Sequence, residues 1–120
     1  MAHRSAPTLV LALAVALLGS LHCHRPGEGV GWDGPLVGGP CGHDHDCFER
    51  CVEGGDFPDG TCTTRCDYDG NCPDGTVCIE KAGGVCLLPC AHDEDCRPGY
   101  DCDDTRRKGA GGDALVCIHS

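Results

Sequence analysis

Large apolar side chains are scarce in this sequence. Aromatic residues make up only 4% of its 120 residues, with a single tryptophan and a single methionine. Between Cys41 and Cys117 we count only twelve residues of the types Val, Leu, Ile, Phe and Tyr. A domain with so little to bury is not held together by a hydrophobic core alone, so covalent cross-links are expected.

Positive charge is also scarce. Lysine and arginine together number 9 against 19 aspartates and glutamates, which gives a net charge of −10 at pH 7. The acids occur throughout residues 41–117, and no basic stripe interrupts them. A nucleic-acid partner is therefore disfavoured, because phosphate binding needs clustered positive charge. The acidity is typical of a soluble, self-repelling surface.

Only one long apolar run is present, Leu9–Leu18. It follows a short start that carries Arg4 and no acid, and small residues come after it. This order predicts a secretory signal peptide over residues 1–22. Ten apolar residues are too few to cross a bilayer, which needs roughly 20.

Cysteine, by contrast, is abundant. The chain has 13 cysteines, and all but one lie between Cys41 and Cys117. Such density predicts a small disulfide-rich fold in an oxidising compartment, with short β-hairpins and little helix. We expect the twelve clustered cysteines to be in disulfides: Cys41, Cys47, Cys51, Cys62, Cys66, Cys72, Cys78, Cys86, Cys90, Cys96, Cys102 and Cys117.

Three tandem repeats appear when Cys41, Cys66 and Cys90 are aligned. They cover residues 41–65, 66–89 and 90–117, and together form a module over residues 41–117. Each repeat begins with the pattern C-x-[HY]-D-x-[DN]-C and closes on a fourth cysteine. Four cysteines allow three pairings. We favour first with third and second with fourth, and a bridge between neighbouring repeats is the alternative.

Local patterns predict short elements inside the repeats. The β-prone runs Thr76–Glu80 and Val85–Leu88 predict a hairpin, and Tyr100–Asp104 with Ala114–Ile118 predict another. The first repeat differs. Asp46 can cap a helix, Glu49 follows three residues later, and Gly54-Gly55 would end the helix. That arrangement predicts a helix near Cys47–Glu53.

The remaining cysteine, Cys23, follows the apolar run of the signal. Its position resembles that of the lipidated cysteine in a bacterial lipoprotein signal, which implies an outer-membrane lipoprotein. His22 stands before it where a small residue is usual, so cleavage after Ser20 and plain secretion to the extracellular space is the alternative. Residues 23–40 are rich in glycine and proline and predict a flexible tether.

The repeated acids raise the question of a calcium site. The run Asp67–Asn71 has the alternating spacing of an EF-hand loop, but Cys72 stands where the tight-turn glycine is needed, and no bidentate glutamate follows. We therefore interpret the repeated aspartates as turn-forming residues: Asp44, Asp69 and Asp93.

No zinc site, cofactor or catalytic residue is predicted. The module lacks a C-x2-C pair, so we interpret His43 and His45 as exposed loop residues rather than metal ligands. Ser120 is the only serine beyond Ser20, so a Ser-His-Asp arrangement has no plausible nucleophile. These observations favour a protein that is not an enzyme.

Two binding hypotheses follow. The first is a surface module that presents its loops to an unknown protein or glycan, and reaches a membrane through a lipid if Cys23 is modified. The second is a protease inhibitor in which a disulfide-flanked loop presents Arg65 or Arg50, each beside a cysteine, to a protease. A purely structural role in the cell envelope is the third possibility.

The segment Cys66–Cys102 carries the pattern C-x2-D-x-[DN]-C-x2-G-x2-C twice. This pattern resembles the cysteine-rich repeats of the Dickkopf N-terminal type and of related bacterial secreted proteins. The residues that carry the likeness are Asp69, Asn71, Cys72, Gly75, Cys78, Asp93, Asp95, Cys96, Gly99 and Cys102. The resemblance implies a disulfide fold and a tendency to bind proteins.

Overall fold

The computed structural model describes residues 28–120. The predicted signal over 1–22 and Cys23 lie outside the described residues. Three two-stranded antiparallel hairpins follow one another along the chain, and each repeat contributes one of them. The strands are β1 (Arg50–Val52), β2 (Thr61–Thr63), β3 (Val77–Ile79), β4 (Val85–Leu87), β5 (Asp101–Arg106) and β6 (Asp113–Ile118).

Six disulfides close within the repeats, and none of them joins two repeats. In every repeat the first cysteine pairs with the third and the second with the fourth, which is the pairing that the sequence favoured. The bridges are Cys41–Cys51, Cys47–Cys62, Cys66–Cys78, Cys72–Cys86, Cys90–Cys102 and Cys96–Cys117.

The hairpin register explains how the two bridges of a repeat interlock. In each hairpin the third and fourth cysteines lie directly opposite each other, as Cys78 and Cys86 do in the second repeat. They do not bond to each other. Each reaches back to a cysteine of the preceding loop, so both strands are attached to that loop and the bridges enclose overlapping segments.

The two predicted hairpins are confirmed as β3–β4 and β5–β6, and the second is longer than expected. The helix predicted near Cys47–Glu53 is wrong. The first repeat has instead a short 3-10 turn at Asp44–Asp46, followed by β1. One cause is covalent: the bridges at Cys47 and Cys51 fix the ends of a segment too short to form a stable helix.

Successive repeats share main-chain hydrogen bonds at their joints. In each repeat the amide of the fourth cysteine donates to the carbonyl two residues before the first cysteine, at 2.8 to 3.2 Å. The segment before each repeat therefore pairs with the last strand of that repeat. The pairs are Cys62 with Gly39, Cys86 with Thr64, and Cys117 with Leu88.

The flexible tether predicted for residues 23–40 is wrong over its described part, residues 28–40. Val37 is completely buried, and its amide and carbonyl both bond within the segment, to Gly29 and Gly31. A side chain at Gly38 would overlap the Gly31 carbonyl, and its φ of +110° favours glycine. The glycines thus permit close packing rather than flexibility. We call residues 28–40 the N-terminal segment.

The hydrophobic core lies mainly between the hairpins of the second and third repeats, and Val52 and Phe57 of the first repeat belong to it. Its centre is formed by Ile79, Val85, Leu87 and Val116, with relative exposures of 2% or less. A smaller cluster joins Val37 to the cysteines of the second repeat. Among residues 28–120, no helix has the length and apolar character needed to span a membrane.

Candidate functional site

The acidic loops between the first two cysteines of each repeat have the same structure three times. A 3-10 turn fills each loop, and its first residue is the repeated aspartate. One carboxylate oxygen of that aspartate accepts a hydrogen bond from the amide of the third cysteine, at 2.8 to 3.0 Å. The interpretation of Asp44, Asp69 and Asp93 as turn-forming residues is therefore confirmed.

The third residue of each turn closes the loop on its other side. Asp46 accepts the amides of Gly42 and His43, at 2.8 and 3.0 Å. Asp95 accepts the equivalent two amides, and Asn71 accepts one through its side-chain oxygen. In the run that resembles an EF-hand, Asp69 and Asn71 each accept a backbone amide, whereas Asp67 pairs with Lys108 at 3.2 Å.

These backbone amides lower the pKa of Asp46 and of Asp95 below the ordinary value of an aspartate. The pKa of Asp69 is lowered first by the Cys78 amide and then by Arg107, which binds the second carboxylate oxygen. Carboxylates held in the ionised form are poor general acids, which need a raised pKa. The partners of these carboxylates in the fold are backbone amides and, for Asp69, also Arg107.

An aromatic ring precedes each of the three turns. His43, Tyr68 and His92 occupy the same position of the repeat, with the same extended backbone, and all are exposed. The His43 ring stacks on the His45 ring with centroids 5.2 Å apart, and the Tyr68 ring covers Gly70. The third position of the repeat pattern, which is His or Tyr, identified these residues in the sequence. The pattern did not indicate that their rings would be exposed to solvent.

Sequence reasoning missed a polar contact that joins the first and third repeats. The Tyr100 hydroxyl lies within hydrogen-bond distance of the Thr61 hydroxyl, and Arg97 donates to both the Thr61 hydroxyl and the Gly60 carbonyl. The Arg97 guanidinium also lies 4.5 Å from the centre of the Tyr100 ring. Burial raises the pKa of Tyr100, so its hydroxyl stays protonated.

An open groove with a volume of about 610 Å³ lies among charged and polar side chains of the first, second and third repeats. Lys81 and Asp56 form an ion pair at its edge, 3.3 Å apart. The groove mixes acids and bases on a wide surface rather than enclosing a cleft. It is lined by Asp56, Glu80, Lys81, Asp103, Asp104, Thr105, Arg106, Ile118, His119 and Ser120.

The two arginines of the inhibitor hypothesis have partners within the fold. Arg50 lies in β1, half-buried, and donates to the Ala82 carbonyl at 3.3 Å. Arg65 has an exposed side chain, but its backbone pairs with Val85, and the residues on either side of it also bond to the second repeat. Neither arginine lies on a protruding loop with free backbone groups.

No histidine of the described part of the chain joins the cysteines in a group that could hold one metal ion. Among residues 28–120, the groups of three potential metal ligands that lie within reach of one ion are all cysteines, and each of those cysteines is in a disulfide. A disulfide sulfur is not the thiolate that zinc binds. Cys23 and His22, which precedes it, lie outside the described residues.

No family model, curated protein or solved structure matches this chain. The resemblance to Dickkopf-type repeats therefore stays a prediction that depends on the cysteine pattern.

Proposed function

We propose that the protein is an exported, non-catalytic binding module of the cell envelope that is anchored by a lipid on Cys23. The observation that carries the proposal is the closure of all six disulfides within the repeats. Bridges in this number persist in oxidising compartments and not in the cytosol. The export signal and the lipoprotein-like position of Cys23 agree with that compartment.

Binding, rather than catalysis, is supported by how the loops are held. Each exposed ring belongs to the residue before a turn whose side-chain oxygens accept backbone amides on both sides, as those of Asp44 and Asp46 do around His43. A loop that is already ordered loses little conformational entropy when a partner binds. The partner that suits such exposed rings on an acidic surface is a protein or a glycan.

Intact mass spectrometry of the mature protein tests the anchor and the compartment together. We expect a mass that combines a diacylglycerol group on Cys23 with the loss of twelve hydrogens from the remaining cysteines. The Cys23→Ser variant should lose the lipid and leave the membrane fraction while it keeps its six bridges. A mature chain that begins before Cys23 and carries no lipid would contradict the anchor.

Photo-crosslinking tests the binding surface. A photoreactive phenylalanine in place of Tyr68 is expected to capture a discrete protein or glycan on intact cells, because the ring is exposed on an ordered turn. The same group at Ala110, an exposed position outside the repeated turns, is the control. Equal capture at both positions, or none at Tyr68, would contradict a binding role for the turns.

A further inference from the structure

Phe48 is an exposed aromatic residue held in a rigid position. Its side chain is 68% exposed, more than any other large hydrophobic side chain among the described residues. It follows Cys47, which is bridged to Cys62, and its amide donates to the Pro35 carbonyl at 2.8 Å. The backbone that carries the ring is thus fixed from both sides.

Apolar groups of the N-terminal segment lie beside this ring on one side. A Cβ built on Gly29 would lie 3.0 Å from the Leu36 Cβ and 3.3 Å from the Phe48 ring, so the three residues are side by side. We call Gly29, Pro35, Leu36 and Phe48 the Phe48 patch. The described chain begins at Glu28, immediately beside this patch.

The distance from Cys23 to the patch is short. Five residue steps separate Cys23 from Glu28, and a fully extended chain of that length spans at most about 18 Å. Because residues 28–40 are packed onto the first repeat, they add nothing to the reach of a tether. A lipid on Cys23 would therefore hold the Phe48 side of the module close to the bilayer.

We propose that the Phe48 patch lies on the phospholipid surface, with the Phe48 ring at the boundary between headgroups and acyl chains. This inference rests on the lipid anchor proposed above. Phenylalanine is among the apolar residues that insert at that boundary. The neighbouring Asp44, Asp46 and Glu49 are exposed acids that anionic headgroups would repel, so the surface that fits is zwitterionic.

Tryptophan fluorescence on vesicles tests the proposal. The lipidated full chain is prepared as Trp32→Phe/Phe48→Trp and placed on phosphatidylcholine vesicles with brominated acyl chains. The matched control is Trp32→Phe/Tyr68→Trp, because Tyr68 is 54% exposed but lies on the turn of the second repeat against Gly109. The shared Trp32→Phe change leaves one tryptophan in each protein.

We expect blue-shifted emission and at least about twofold stronger bromine quenching for the tryptophan at position 48, since interfacial groups lie about 5–10 Å into the boundary. Adding phosphatidylglycerol should weaken the quenching. Equal quenching at both positions on a protein whose mass shows the lipid would overturn the docking alone. A mature protein without lipid on Cys23 would overturn both the docking and the anchor.

Discussion

Replacing Val37 with alanine tests whether the N-terminal segment is part of the folded module. Val37 has a relative exposure of 0% and lies in a cluster with cysteines of the second repeat. The substitution removes two buried carbon groups, each contributing about 0.8 kcal/mol, and leaves a cavity. We expect the free energy of unfolding to fall by about 2 to 3 kcal/mol.

The assay is guanidinium unfolding with the disulfides intact, followed by circular dichroism. Val116→Ala is the reference for a core position, because Val116 has the same relative exposure of 0%. Leu115→Ala is the surface control, since Leu115 is 43% exposed. If Val37→Ala has the small effect of Leu115→Ala rather than the large effect of Val116→Ala, the segment is a spacer and the packing argument fails.

Three further outcomes are expected. The pKa of Asp69 is lower in the folded protein than in the unfolded chain, so Asp69 stabilises the fold above its unfolded pKa and this stabilisation is lost as pH falls through the folded pKa. We therefore expect Asp69→Asn to flatten the pH dependence of the urea unfolding midpoint. An unchanged pH dependence would contradict this. Tyr100→Phe should cost about 1 to 3 kcal/mol in thermal unfolding, because the buried Thr61 hydroxyl loses a partner; no loss would mean the contact is dispensable. Trypsin should cleave after Arg65 only once the bridges are reduced, because the Arg65 backbone pairs with Val85. Rapid cleavage of the oxidised protein would contradict this protection, and tight inhibition of trypsin would support the inhibitor hypothesis.

The cysteine spacing predicts much of this fold because a disulfide limits both the pairing and the local geometry. With four cysteines in each repeat, pairing first with third and second with fourth also sets the hairpin register that places Cys78 opposite Cys86. Glycine-rich turns between β-prone runs then locate the hairpins. These signals are local, so they can be read from the sequence.

The parts that escaped sequence reasoning depend on which backbone group a given carboxylate or carbonyl binds, and the residue spacing does not show this. The aspartate and glutamate before the Gly54-Gly55 pair look like a helix start, but the Asp44 carboxylate binds the Cys51 amide and favours a strand there. The glycines before Cys41 look like a linker until the Gly39 carbonyl is seen to accept the Cys62 amide. Composition alone does not distinguish a glycine needed for close packing from one that gives flexibility.

Because neighbouring repeats share main-chain hydrogen bonds at their joints, we expect the three repeats to unfold together rather than one by one. The Thr64 carbonyl follows the last strand of the first repeat, yet it accepts the amide of Cys86 in the second. The Leu88 carbonyl likewise follows the last strand of the second repeat and accepts the amide of Cys117 in the third repeat. Each joint thus belongs to two repeats, and neighbour contacts of this kind couple the stability of adjacent units in repeat proteins. Because the disulfides act only within repeats, this coupling depends on the joints, the common core and the Tyr100 contact.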